Sequence, residues 1–271
     1  MAMLMLAACS SLPMGKASSG EGLRPAAVWL LGEVHDSPHV HEARWRDLAQ
    51  RVHKGWRPVL VMEQFDRDRQ AALDMAMAAC ADAACVVQRA GGTGWDWPLL
   101  TPVIQLALQY RLPVVAANVS RADAARVVRE GIGAALAPDV LQRFGWPGSL
   151  TPGVRAALEL AVDQGHCGQL PKELIARMAT AQVARDIWMA EQLRLHAMHG
   201  AVLLAGNGHV RSDAGVPHWL RQVGILDIQV VGYEEEGVEV PAGHYDQLRR
   251  VLPHPRPDPC ASLRMGSGAA R

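Results

Sequence analysis

Short apolar runs recur along the chain, separated by stretches of a different period. Residues 26–31, 58–63 (Pro-Val-Leu-Val-Met-Glu), 113–117 (Pro-Val-Val-Ala-Ala), 201–205 and 226–232 are five to seven residues of mainly Val, Leu, Ile and Ala. Such runs are the pattern of strands covered on both faces, as in a parallel sheet. Between them, residues 39–53, 66–79, 101–111 and 121–130 carry Ala, Leu, Arg and Met at helix-compatible spacing. The alternation predicts an α/β fold, a mostly parallel sheet with crossover helices. No strand pattern interrupts residues 119 to 200, where pieces punctuated by Pro and Gly end in a helix predicted over 171–199. That stretch predicts an inserted helical subdomain, about 122–200, able to serve as a lid or a partner surface.

Two of the runs end alike. Ala27-Val28-Trp29-Leu30-Leu31-Gly32-Glu33-Val34-His35 and Ala201-Val202-Leu203-Leu204-Ala205-Gly206-Asn207-Gly208-His209 each finish in Gly-x-x-His. A glycine at a strand end permits a tight turn or a close approach. Parallel strands deliver their ends to one edge of the sheet, where open α/β sheets hold ligands. His35 and His209 are therefore expected at a shared site.

Glu63 closes the second apolar run, and a carboxylate there is costly unless paired or functional. Glu33 lies in the first turn, and Asn118 and Arg121 follow the third run. Arg121 either neutralises Glu33 or Glu63 or binds an anion. Imidazoles and carboxylates at one edge suit a divalent metal ion, with His35, Glu63 and His209 as ligands, or a histidine base oriented by a carboxylate. His39 and His41, which start the next helix, read as surface residues.

At 271 residues the chain is long enough for a self-sufficient core. Its formal net charge of +0 and the lack of basic clusters argue against a nucleic-acid partner. The N-terminus reads differently: residues 1–9 are short and apolar and end Leu6-Ala7-Ala8-Cys9, the form of a lipoprotein signal with Cys9 as the acylated residue. Residues 10–23 read as a tether, 24–252 as the α/β domain, and 253–271 as a flexible tail apart from whatever Cys260 ties down. Such an anchor places the protein at the bacterial cell envelope, facing the periplasm or on the outer membrane. Cys80, Cys85, Cys167 and Cys260 then permit two disulfides in three connectivities, with Cys80–Cys85 the most local pair, or remain free thiols.

The two Gly-x-x-His ends, Glu63, Asn118-x-x-Arg121 and the later Gln182-Val-Ala-Arg-Asp186-Ile-Trp-Met189-Ala together resemble the ChaN-like family of haem-binding uptake lipoproteins, within the Tiki/TraB/erythromycin-esterase superfamily. The resemblance runs through roughly residues 26 to 232. It implies an α/β core with a helical insertion, haem as the bound group, a homodimer formed on haem binding, and a role in iron uptake with outer-membrane haem machinery as a partner. In the superfamily's hydrolytic branches the Gly-x-x-His positions and an acidic residue bind metal or act as general base. Carried over, those roles fall on His35, His209, Glu33 and Glu63, with Arg121 for an anionic substrate, and give the alternative of a metal-dependent hydrolase.

The family resemblance implies tyrosine as the haem-iron ligand, yet the segment Gly94-Trp95-Asp96-Trp97-Pro98-Leu99-Leu100 has Leu100 where a tyrosine is expected. Tyr110 and His166 are the substitutes by residue type, with Asn118 and Arg121 as further haem contacts. Met178, Met189 and Met198 read as core filling at helical spacing.

Overall fold

The structure is a computed structural model that describes residues 28–258, 260 and 261. Cys9 and the tether expected after it lie outside the described residues. Strands β1 (Val28–Leu31), β2 (Val59–Asp66), β3 (Val114–Asn118), β4 (Ala201–Leu204), β5 (Ile228–Glu235) and β6 (Gln247–Val251) form one all-parallel sheet in the order β3-β2-β4-β1-β5-β6.

Helix α1 (Pro38–His53) follows β1, and α2 (Gln70–Ala79), α3 (Ala83–Ala90) and α4 (Trp97–Tyr110) join β2 to β3. Between β3 and β4 come α5 (Arg121–Glu130), α6 (Pro138–Arg143), α7 (Pro152–Gly165) and α8 (Lys172–His196), and between β4 and β5 come α9 (Asn207–Val210) and α10 (Val216–Gln222). Period-two alternation along the strands sorts side chains onto two cores. Val28, Leu30, Val59, Val61, Ala201 and Leu203 face α5, α7, α8 and α10. Trp29, Leu31, Leu60, Met62, Val202 and Leu204 face α1 to α4. With both faces covered, the strands read as continuous apolar runs in the sequence.

The helical stretch inserted between β3 and β4 supplies one of these layers. Its α8 crosses β2, β3 and β4, burying Ala184, Ile187 and Leu193 in the same core as the strands. The path matters for the site, because β4 enters between β1 and β2 and brings its own carboxyl end beside both of theirs.

β6 has no counterpart among the five expected strands. Its sequence Gln247-Leu-Arg-Arg-Val is polar and largely exposed, as suits an edge strand blunted by charge. Beyond it the described part of the expected flexible tail is tied down. Arg256 pairs with Glu235 (2.8 Å) and Asp36 (2.8 Å), and the His254 N–H donates to Glu235. The cysteines pair as Cys80–Cys85 and Cys167–Cys260, the second joining positions 93 residues apart. In the chain-entropy view a loop of that length stabilises by about 4–5 kcal/mol.

Candidate functional site: two interlocked Gly-x-x-His turns

β1 and β4 are neighbours in register, Leu31 beside Leu204, so their Gly-x-x-His turns emerge together at the carboxyl edge. The Asn207 N–H donates to the Glu33 carbonyl (2.9 Å), and the Asn207 side chain donates to the Tyr233 carbonyl (2.7 Å). Each glycine makes room for the other turn. A Cβ on Gly32 would run into the Asn207 side chain, and one on Gly206 would stand 2.9 Å from His35 Nε2. Gly206 has φ −56°, so close approach rather than unusual backbone conformation demands glycine there.

Two charged networks sit on opposite sides of these turns. On the α1 side, Glu33 is buried against the equally buried Arg44 guanidinium. Glu33 Oε1 also accepts from His35 Nδ1 (2.7 Å) and from Gln64 Nε2 (3.1 Å). His41 is buried here, correcting the surface reading. Its Nε2 donates to the His35 carbonyl (3.1 Å), while its Nδ1 accepts from Arg44 (3.2 Å). His39 is exposed. Burial pushes the Glu33 carboxyl up, but the Arg44 charge and the His35 hydrogen bond outweigh it and hold the group at about 2. Burial pulls the His35 imidazole down, and Glu33 and Glu63 more than reverse it.

On the α8 side the period of β2 matters again: Gln64 points to Glu33, so Glu63 points to the other face. Glu63 Oε2 accepts the Gly206 N–H (2.7 Å) and Oε1 lies 3.4 Å from His209 Nε2. The other His209 nitrogen, Nδ1, lies 2.5 Å from Asp186 Oδ1 on α8. Burial opposes a charge on His209, but two carboxylates bracket the ring and push its pKa up to about 10. Glu63 goes down to about 2, burial again being overcome by His209. Asp186 moves up because burial dominates its surroundings. The result is an imidazolium clamped between two acids.

These turns floor a cleft of about 390 Å³. Leu158, Ala161 and Val162 of α7 give it an apolar wall, while His35, His166, Gln182, Asp186, His209 and Glu234 supply polar groups. The His35 ring is 51% exposed and meets Trp95 edge-on, with ring centroids 5.1 Å apart. His166 ends α7, and its Nδ1 lies 2.8 Å from the Val162 carbonyl. An Nδ1–H donated there leaves Nε2 as a free lone pair, the form in which imidazole binds iron.

His35, Glu33, His209 and Glu63 are thus together, and His166 shares their cleft. Three other expected residues are elsewhere. Arg121 is exposed at the start of α5 and neutralises neither Glu33 nor Glu63, whose cations are Arg44 and His209. Asn118 donates to Asp66 (2.8 Å) at the end of β3 and is no part of the cleft wall. Tyr110 belongs to the α1–α4 layer, stacked near His53 and under Arg57. Of the expected metal ligands His35, Glu63 and His209, the last two contact each other directly. Both nitrogens of His209 face carboxylates, and among the described residues no group of three or more His, Cys, Asp or Glu is arranged to hold a metal ion. Asp186, absent from the expected site set, was signalled only by its place in the Gln182–Ala190 segment. Met189 is buried and Met178 packs on the core, whereas Met198 is exposed.

An all-parallel sheet between two helical layers, with a cleft built on strand-end turns at its carboxyl edge, defines an α/β protein of the ligand-binding kind. The chain belongs to the family described as haem-binding uptake, Tiki superfamily, ChaN, whose model matches residues 21–220. Its fold is that of a solved structure described as cofacial heme binding to ChaN of Campylobacter jejuni. The TM-score is 0.68 at 21% identity, covering 82% of this chain and 86% of that one. A Bacillus cereus protein is more distant, with TM-score 0.46, 15% identity, and 78% and 66% of the two chains covered. No curated protein matches the chain.

Proposed function

We propose that this protein binds haem as cargo in the cleft between α7 and the two Gly-x-x-His turns. The observation that carries the reading is the pairing of an apolar α7 wall with His166, a cleft-lining residue whose Nδ1 lies against the Val162 carbonyl, so that donation there frees Nε2. An apolar wall suits the porphyrin face, and an imidazole of that tautomer suits its iron. Membership in a haem-binding uptake family supports the same ligand. The Campylobacter jejuni relative is described as binding haem cofacially, which favours two chains meeting across stacked haems. Leu160, 56% exposed on α7, offers apolar surface on the same helix for such a homodimer.

The wider role follows as part of the proposal. Acylation at Cys9 anchors the chain at the bacterial envelope, and two disulfides suit an oxidising compartment there. Haem taken up by outer-membrane machinery is its cargo. Titration with hemin, followed through the Soret and charge-transfer bands, tests the central claim. Saturable binding with a histidine-ligated spectrum is expected. Binding no tighter than to an unrelated apolar protein overturns it.

A further inference from the structure

The C-terminal segment joins the two walls of the cleft. Arg256 reaches Asp36 and Glu235, which directly follow the cleft residues His35 and Glu234. Four positions later Cys260 is bonded to Cys167, which directly follows the cleft residue His166. Four residues of chain reach at most ~14 Å, so the anchors at Arg256 and Cys260 strap the β5 side to the α7 side.

The strap meets α7 where the chain needs holding. Cys167 has φ +60°, the left-handed region that a residue with a Cβ rarely adopts, and Gly168 follows at +66°. His166 itself is exposed just past the last turn of α7. Apart from the helix end, its neighbour's disulfide is the covalent tie on this turn. Cys167 and Cys260 are each only half-buried, open to a small reagent.

We propose that the Cys167–Cys260 disulfide is a thiol-sensitive latch that positions His166 over the cleft, so that a dithiol reductant lowers the protein's hold on haem. This rests on the haem-binding reading above. The chemistry is ordinary exchange. One thiolate of the dithiol attacks a sulfur of the bridge, the protein S–S bond breaks, and a mixed disulfide forms. The second thiolate then closes the reagent's own disulfide. Two electrons pass to the protein, and Cys167 and Cys260 each take up a proton as thiols.

The test compares hemin binding by the full chain and by Cys260→Ser under oxidising conditions, with hydrogen exchange read over residues 163–169. Cys260→Ser is expected to raise the hemin Kd at least about tenfold, the usual cost of losing a group that orients a ligand, and to speed exchange in that turn. The Cys80→Ser/Cys85→Ser double variant lacks the other bridge and is expected to match the wild type. His166→Ala is expected to lose as much affinity as Cys260→Ser, and the double variant His166→Ala/Cys260→Ser to lose no more than either. Should Cys260→Ser fail to fold, wild type reduced by a dithiol and alkylated before hemin is added gives the same comparison. Unchanged hemin affinity after loss of the bridge, or additive losses in the double variant, overturns the latch while leaving haem binding standing. No hemin binding by the oxidised wild type overturns the haem reading, and the latch with it.

Discussion

Gly206 lies so close to the His35 imidazole that a Cβ at this position would stand 2.9 Å from both Cε1 and Nε2 of the ring. The glycine of one Gly-x-x-His turn is therefore the floor under the histidine of the other. Gly206→Ala must move either His35 or the turn that brings the Gly206 N–H to Glu63. Overpacking of this kind costs roughly 1–3 kcal/mol. Urea unfolding of Gly206→Ala checks it, and a change within ~0.5 kcal/mol, the range of surface substitutions, would show that the two turns are not interlocked in solution.

His209 neutralises two buried acids at once. His209→Ala leaves Glu63 and Asp186 facing one another without a cation, and breaking a buried pair in this way costs roughly 3–5 kcal/mol. Adding Asp186→Asn to His209→Ala removes one orphaned charge and is expected to recover part of the loss. A double-mutant cycle by chemical unfolding reads the coupling directly.

The same groups set the pH dependence. Glu33 and Glu63 are lowered from 4.5 to about 2 on folding, so their contribution is present above pH 4.5 and lost as pH falls through 2. His209 is raised from 6.5 to about 10, so its contribution is full below pH 6.5 and lost as pH rises through 10. Asp186, raised by burial, works against the complex above its own pKa. Stability is expected to be highest between about pH 5 and 7. His209→Ala should flatten the alkaline limb, and Glu63→Gln should shrink the acid one. Thermal melts across pH 3 to 10 would contradict this if the His209→Ala curve kept the wild-type alkaline slope.

Haem spectra separate the candidate ligands. Tyr110 lies in the α1–α4 layer and Arg121 on the outer surface of α5, so Tyr110→Phe and Arg121→Ala are expected to leave the Soret band and the hemin affinity unchanged. His166→Ala is expected to shift the band. A shift on Tyr110→Phe would instead place the porphyrin on the other side of the sheet.

Expression of the full chain with its own N-terminus in a bacterial host should give a membrane-associated product. Its mass should fit acylation at Cys9, and Cys9→Ser should abolish the lipid mass. A fully aqueous, unmodified product would remove the anchor from the proposed function.

The apolar runs at Val59–Met62 and Ala201–Leu204 are legible in the sequence because burial on both faces leaves a local, continuous signal. Parallel pairing then sends Glu33, His35, Glu63 and His209 to one edge whatever the strand order. What strand-end placement leaves open is which of these touch. β4 inserted between β1 and β2 sets Gly206 against His35 and Glu63 against His209, and no local pattern encodes that order. Asp186 and Arg44 come from helices whose rotation is fixed by core packing. A buried charge on a helix looks, in sequence, like an exposed one, and for the same reason His41 reads as surface. Arg121 fails in the opposite sense: it follows β3 as expected, yet α5 turns it to solvent. β6 is polar because an edge strand has little to bury, so its pairing with β5 shows only in three dimensions. The join of Cys167 to Cys260 across 93 residues is likewise tertiary, since four cysteines allow three pairings and only the fold brings one pair to the mouth of the cleft.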